Sequence, residues 1–190
     1  MGWLIVMGII AAVAIIAVVV IIGIYNGLVR ARLQVREAWS GIDVQLKRRA
    51  SLIPNLVETV KGYAAHERET FEAVTRARAA LQQAGTPAQA AEANNMLTQT
   101  LRSLFAVAEA YPDLKANQNF LQLQADLSDI ENKIAAARRF FNNAVQEYNA
   151  AIQQFPAVLI ARNMGFTERT FFELDEGERA AVATAPQVKF

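Results

Sequence analysis

An uninterrupted apolar run from Trp3 to Ile24, without a charged or strongly polar side chain, constrains this chain more than any other feature. At a rise of 1.5 Å per residue the run reaches about 33 Å, enough to cross a hydrocarbon layer of about 30 Å. It is read as a transmembrane helix. A cleaved signal peptide is the competing reading, but no Lys or Arg precedes the run, which also exceeds the usual apolar core of about 7 to 15 residues. Trp3 and Tyr25 stand at its two ends, where amphipathic rings favour the headgroup layer. Arg30, Arg32 and Arg36 follow the run, and the excess of positive charge on that side places the body in the cytoplasm. Gly23 and Gly27, with Gly8 and Ala12 on nearly the same helical face, form a candidate membrane-helix packing surface. The alternative is that glycine is simply common in membrane helices.

Beyond the run the chain reads as an ordinary soluble body. The whole sequence of 190 residues is 53% apolar, and removing the run returns the remainder to the range of globular domains. A formal net charge of +1 argues against a basic nucleic-acid binder and against an acidic disordered tail. The absence of cysteine excludes disulfides, thiolate metal sites and cysteine nucleophiles.

From Leu28 to Leu81 apolar residues keep helical spacing, interrupted by Arg49, Glu67 and Arg78. The phase is not lost at Pro54, which predicts one long helix kinked there, with a restart capped by Ser51 as the alternative. Gly85 ends this element, and Thr86-Pro87-Ala88-Gln89 supplies a capping hydroxyl, a proline at the first helical position and a glutamine three residues after the cap. The helix that follows runs to Tyr111-Pro112-Asp113. The strongest periodicity comes next: Phe120, Leu123, Leu127, Ile130, Ile134, Ala137, Phe141, Ala144, Tyr148, Ala151 and Phe155 recur in steps of three and four, a coiled-coil-like seam. Leu121, Phe140, Val145 and Ile152 widen it, as expected inside a bundle of several helices. Pro156 stops the helix, and Phe166, Phe171, Phe172 and Phe190 in the tail are expected to fold back over the bundle. The predicted organisation is an anchor over residues 1–25, a helical bundle over 26–155 and a packed tail over 156–190.

Several stretches resemble the LemA family of bacterial proteins: Tyr25-Asn26-Gly27-Leu28-Val29, the block from Ala38-Trp39-Ser40-Gly41-Ile42 through Lys47-Arg48-Arg49, and Leu52-Ile53-Pro54-Asn55-Leu56-Val57. Gly62-Tyr63-Ala64 before His66-Glu67, Asn149 before Phe155-Pro156, and Gly165-Phe166 with Phe171-Phe172 extend the likeness over nearly all of the chain after the apolar run. The resemblance implies a membrane-anchored, all-α antiparallel four-helix bundle, and the location expected for the anchored chain is the bacterial inner membrane. It implies little about activity, although a relative in the machinery that shapes magnetosome membranes makes membrane organisation a family theme.

The residues that could carry chemistry are few. His66 is the single histidine, and the position four residues on, where a zincin helix needs its second histidine, is Thr70. Glu67 interrupts an apolar stripe, and Arg49 and Arg78 lie close to it, so the three residues form a candidate polar layer or ligand site between helices. The plainer reading is that long side chains snorkel out of a wide groove. Lys47-Arg48-Arg49 is too far along the helix from the membrane to meet lipid charge and lacks aromatic neighbours for nucleic acid, which leaves a solvated helix face or a contact with a subunit or partner. The acids Asp126, Asp129 and Glu131, and Asp175, Glu176 and Glu178, read as exposed charge. No phosphate loop, nucleophile elbow or metal-ligand cluster is apparent, so no catalytic residue, cofactor or metal is assigned. The function expected is a homo-oligomeric scaffold that organises membrane or envelope partners, with the lipid bilayer and its own copies as partners and no nucleic acid. The second expectation is a sensing module that takes a ligand or peptide in a groove near Glu67.

Overall fold

The computed structural model describes residues 1–173, and these form an all-α protein with no strand among them. The helices are α1 (Gly2–Lys61), α2 (Arg68–Gln83), α3 (Pro87–Glu109), α4 (Pro112–Lys115), α5 (Gln118–Gln153) and α6 (Ala157–Asn163). By packing, the described residues divide into an anchor unit, Met1–Ala38 with Asn142–Arg169, and a core unit, Trp39–Phe141 with residues 170–173.

In the anchor unit every residue from Met1 to Gly23 is exposed, and the stretch has the length and hydropathy of a membrane span. Burial begins at Leu28 and continues through Val35 and Ala38, with Ala144, Val145, Tyr148 and Ile152 of α5. After α6, Gly165 adopts a left-handed φ of 71°, and the Phe166 N–H reaches back to the Ala161 carbonyl at 3.1 Å. This is the closure that lets a helix reverse without leaving its last carbonyls unpaired, and glycine adopts it without a Cβ penalty. The reversal buries Phe166 edge-on against Tyr25, with ring centroids 5.8 Å apart, and beneath the Arg32 guanidinium at 5.1 Å. The chain then runs beside α5. Tyr148 Oη donates to the Thr167 carbonyl at 3.0 Å, and Asn149 both donates to the Arg169 carbonyl at 2.8 Å and accepts from its N–H at 2.9 Å.

In the core unit α1 stays helical through Pro54. It ends at Lys61, and residues 62–67 form a turn before α2, so the predicted single helix to Leu81 is two helices. The reason that the apolar phase hides this break is Ala64: Tyr63 and Ala64 both donate to the Val60 carbonyl, at 3.0 and 2.9 Å, and the turn still buries Ala64. At the start of α3, Thr86 Oγ1 accepts from the Gln89 N–H at 3.3 Å while Gln89 Oε1 accepts from the Gly85 N–H at 3.1 Å. The side chains thus satisfy donors at the helix start in the manner of a capping box. α2 and α3 pack against each other. Pro112 opens the one-turn α4 around buried Leu114, and Asn117 begins α5 by accepting from the Phe120 N–H at 3.1 Å while donating to Tyr63 Oη at 3.0 Å.

Along α5, Phe120, Leu127, Ile130, Ile134, Phe141, Ala144 and Tyr148 are buried, whereas Leu123, Ala137 and Ala151 are half-buried. Phe155 keeps the spacing but lies beyond the last helical residue and is exposed. Leu121 and Phe140 are also exposed, so the buried stripe is narrower there than the sequence suggests, while Val145 and Ile152 do widen it. Of the tail aromatics, Phe166 and Phe172 are buried and Phe171 is exposed. Phe190 lies outside the described residues.

Candidate functional site

The buried stripe of α1 reads Ile42, Leu46, Arg49, Ile53, Leu56, Val60, with a guanidinium at a position that geometry reserves for the core. Arg49 is buried. Its Nη1 donates to Oδ1 of Asn94 on α3, and its Nη2 lies 2.7 Å from Glu131 Oε2 on α5. An isolated buried charge is prohibitively costly. Here a carboxylate and an amide oxygen replace water, and the fork of donors on one guanidinium fastens three helices at a single level. A guanidinium stays protonated at any physiological pH, so the cluster is suited to fixing register and unsuited to proton transfer.

One residue further along the chain the backbone poses a second problem. Proline has no N–H, so Pro54 cannot donate to the carbonyl four residues earlier, that of Ala50. Arg78 of α2 fills the gap: its Nε donates to the Ala50 carbonyl at 2.9 Å. The interruption in the α1 ladder thereby becomes a tie between α1 and α2. Glu67 is placed elsewhere, at the N-cap of α2, where it is half-buried and makes no side-chain cap hydrogen bond. The expected polar layer of Arg49, Glu67 and Arg78 is therefore distributed over separate features, each arginine having partners of its own.

Asn94 and Glu131 escaped the sequence reading. Asn94 was legible in principle, since it lies four residues after Ala90 and three before Leu97 on the buried face of α3, the same signal that singled out Arg49. Glu131, in a stretch whose acids suggest exposed charge, is half-buried and engages Arg49. Its neighbour Asp129 is on the solvated side and pairs with Lys133 at 2.7 Å, and Asp126 accepts from Gln122 at 3.0 Å. Asp175, Glu176 and Glu178 lie outside the described residues. Lys47 pairs with Asp43 and Arg48 is exposed, so Lys47-Arg48-Arg49 divides into two solvated residues and one core residue. His66 is exposed in the turn before α2. Among the described residues no group of three or more His, Cys, Asp or Glu could hold a metal ion.

Two grooves lie along α1 and α2, the first of them beside the Arg78 tie. One of about 290 Å³ is lined by Ile53, Pro54, Val57, Lys61, Thr75 and Arg78. The other, of about 400 Å³, is lined by Lys61, Ala65, Arg68, Phe71 and Glu72.

The model of the LemA family matches residues 38–190, a stretch that contains the whole Arg49–Asn94–Glu131 cluster and the Arg78 tie. The chain belongs to the LemA family. It is similar to Protein LemA of Metamycoplasma hominis, with 28% identity over 87% of this chain and 76% of that protein. It is also similar to the magnetosome protein MamQ of Magnetospirillum gryphiswaldense, with 25% identity over 78% of this chain, and to magnetosome protein MamQ 2 of Paramagnetospirillum magneticum, with 24% identity over 78%. It spans 64% of the length of the two magnetosome proteins. Together with the apolar N-terminal part of α1, these likenesses describe a membrane-associated helical protein. Several residues that carry the family likeness have plain physical tasks here: Gly165 permits the reversal after α6, Phe166 packs on Tyr25, and Asn149 holds the returning chain.

Proposed function

We propose that this LemA-family chain is a single-pass scaffold of the bacterial inner membrane, assembled as a homo-oligomer, with its helical domain in the cytoplasm arranged as a four-helix bundle. It acts by bringing membrane or envelope partners together, without catalysis. The observation that carries the reading is the bare state of α1 from Trp3 to Gly23: large apolar side chains lie exposed all round the helix, a surface that lipid or another membrane helix must cover. At Gly8, Gly23 and Gly27 nothing lies within 4 Å of where a Cβ would stand. With Ala12, these positions leave room for a second helix to approach backbone to backbone.

The test is the size of the full-length protein in mild detergent. Replacing Gly23 and Gly27 together by leucine shifts the assembly to smaller species and leaves the melting of the helical domain unchanged. Monomers for both proteins at every concentration would remove the scaffold's physical basis. For orientation, a cysteine at exposed Ser40 stays shielded from an impermeant thiol reagent in cells whose outer envelope has been opened, and rapid labelling would reverse the assignment. A second reading, a module that binds a small ligand or peptide, draws support from the groove beside Arg68 and Phe71, and ligand-dependent thermal stabilisation is its signature.

A further inference from the structure

The anchor unit leaves a concentrated apolar patch uncovered. Phe155 is 81% exposed, Leu159 60% and Met164 53%, all within ten residues that make the turn out of α5, the short helix α6 and its closing turn. On α6, exposed Leu159 and Arg162 are three residues apart and share the outer face, and exposed Phe155 stands in the turn that precedes the helix. The inner face is spoken for, with Ala161 buried and Val158 and Ile160 half-buried. The patch is therefore an outward surface of an ordered segment.

Its place in the anchor unit says what covers it. Phe166 packs on the ring of Tyr25, the residue that immediately follows the apolar span, and the Phe166 N–H is bonded to the α6 residue Ala161. The last turn of α6 is thus fastened to the point where α1 leaves the hydrocarbon. Arg30, one turn and a half beyond Ile24 on α1, is exposed, and Arg32 lies over Phe166. Glu168, the carboxylate near this turn, accepts a hydrogen bond from Gln153 at 2.8 Å. Phenylalanine and leucine beside arginine, held at the level of a span's end, match the composition of segments that lie in the headgroup layer.

We propose that α6 with its flanking turns is a second membrane contact: Phe155, Leu159 and Met164 insert into the headgroup and acyl boundary beside the span, while Arg162 and Arg30 face anionic headgroups. The proposal rests on the membrane-anchored reading above. Interfacial segments of this kind sit about 5–10 Å into the boundary. A membrane surface is favoured over a second copy as the occupant because it already adjoins Tyr25 and needs no additional partner to be present.

The absence of native cysteine makes the test direct. Full-length chains carrying one nitroxide each, at Phe155→Cys, Leu159→Cys, Ile15→Cys or exposed Gln122→Cys, are reconstituted in vesicles of phosphatidylcholine with a minority of phosphatidylglycerol. Relaxation by oxygen reports lipid, and relaxation by a water-soluble nickel chelate reports solvent. Labels at Phe155 and Leu159 show severalfold higher oxygen-to-nickel ratios than the label at Gln122, at a depth shallower than Ile15. If the Ile15 label is in lipid while Phe155 and Leu159 are as wet as Gln122, the proposal fails and the anchor stands. If Ile15 is also wet, the anchored reading itself fails. Spin–spin broadening between copies at Leu159, without oxygen enhancement, would assign the patch to a second chain and overturn the lipid contact.

Discussion

Between Trp3 and Gly23 every side chain of α1 is exposed, whereas between Ile42 and Val60 the same helix buries Ile42, Leu46, Arg49, Ile53, Leu56 and Val60 in alternating steps of four and three. The first segment is more hydrophobic and carries no periodicity, the pattern of a helix suited to an apolar medium, lipid or another membrane helix, on every side. The second is periodic because protein meets it on one side only. The difference extends to polarity. The first segment contains no charge at all, while the second places a guanidinium in its buried row and satisfies it with Asn94 and Glu131. Average hydropathy therefore reports which medium surrounds a helix, and spacing reports which face has a protein neighbour.

The sharpest way to break this contrast is to truncate a side chain in the periodic segment. Ile53 is fully buried, and Ile53→Ala costs about 2 to 5 kcal/mol, the usual range for an aliphatic core truncation. Ile134 of α5, equally buried, responds alike, and Ile134→Asp is worse because it buries an unpaired charge. Chemical denaturation of the detergent-solubilised chain measures each. A loss below about 0.5 kcal/mol, the level of an ordinary surface change, would mean that the row faces solvent.

What the sequence made legible follows the same division. The span, the cap at Thr86-Pro87-Gln89 and the buried row through Ile130 and Ile134 depend on local spacing or local hydrogen bonding, and each can be read within a few residues. The break at residues 62–67 was hidden because Ala64 stays buried inside the turn, so the apolar phase survives a change of direction. Phe155 failed for the opposite reason: it keeps the spacing, but α5 ends at Gln153 before reaching it. The polar ties were only half visible. Arg49 and Arg78 stood out as polar interruptions, but their partners come from α3, α5 and a backbone carbonyl 28 residues away, which no local pattern specifies.

The tie at Pro54 sharpens the comparison at a lower energy. Arg78→Met leaves the Ala50 carbonyl without its donor, at a cost of about 1 to 3 kcal/mol, and Arg78 being half-buried places it at the lower end. Pro54→Ala supplies a backbone N–H four residues after Ala50, so the same arginine substitution costs less in that background. A double-mutant cycle reads the coupling. Equal costs with and without Pro54 would show that Arg78 stabilises α2 by some route other than the freed carbonyl. Smaller still is the cap of α3. Thr86→Ala removes the acceptor for the Gln89 N–H and costs about 1 kcal/mol, seen as a lowered denaturation midpoint with an unchanged slope.

The smallest effect belongs to the span, and its smallness carries the information. Ile10 is exposed and lies on the side of the helix away from Gly8, Ala12, Gly23 and Gly27, so Ile10→Ala opens no cavity and removes contacts only with whatever fills the space outside the chain. Where that is lipid, acyl chains close over the smaller side chain, and the denaturation of the helical domain changes by less than about 0.5 kcal/mol. The same truncation costs several times more at Ile53, although both residues are isoleucines on one helix. A loss at Ile10 comparable to that at Ile53, and growing with protein concentration, would mean that this second face is also packed against another copy. The comparison between the two segments of α1 would then separate two kinds of protein contact, one within the chain and one between chains, instead of separating lipid from protein.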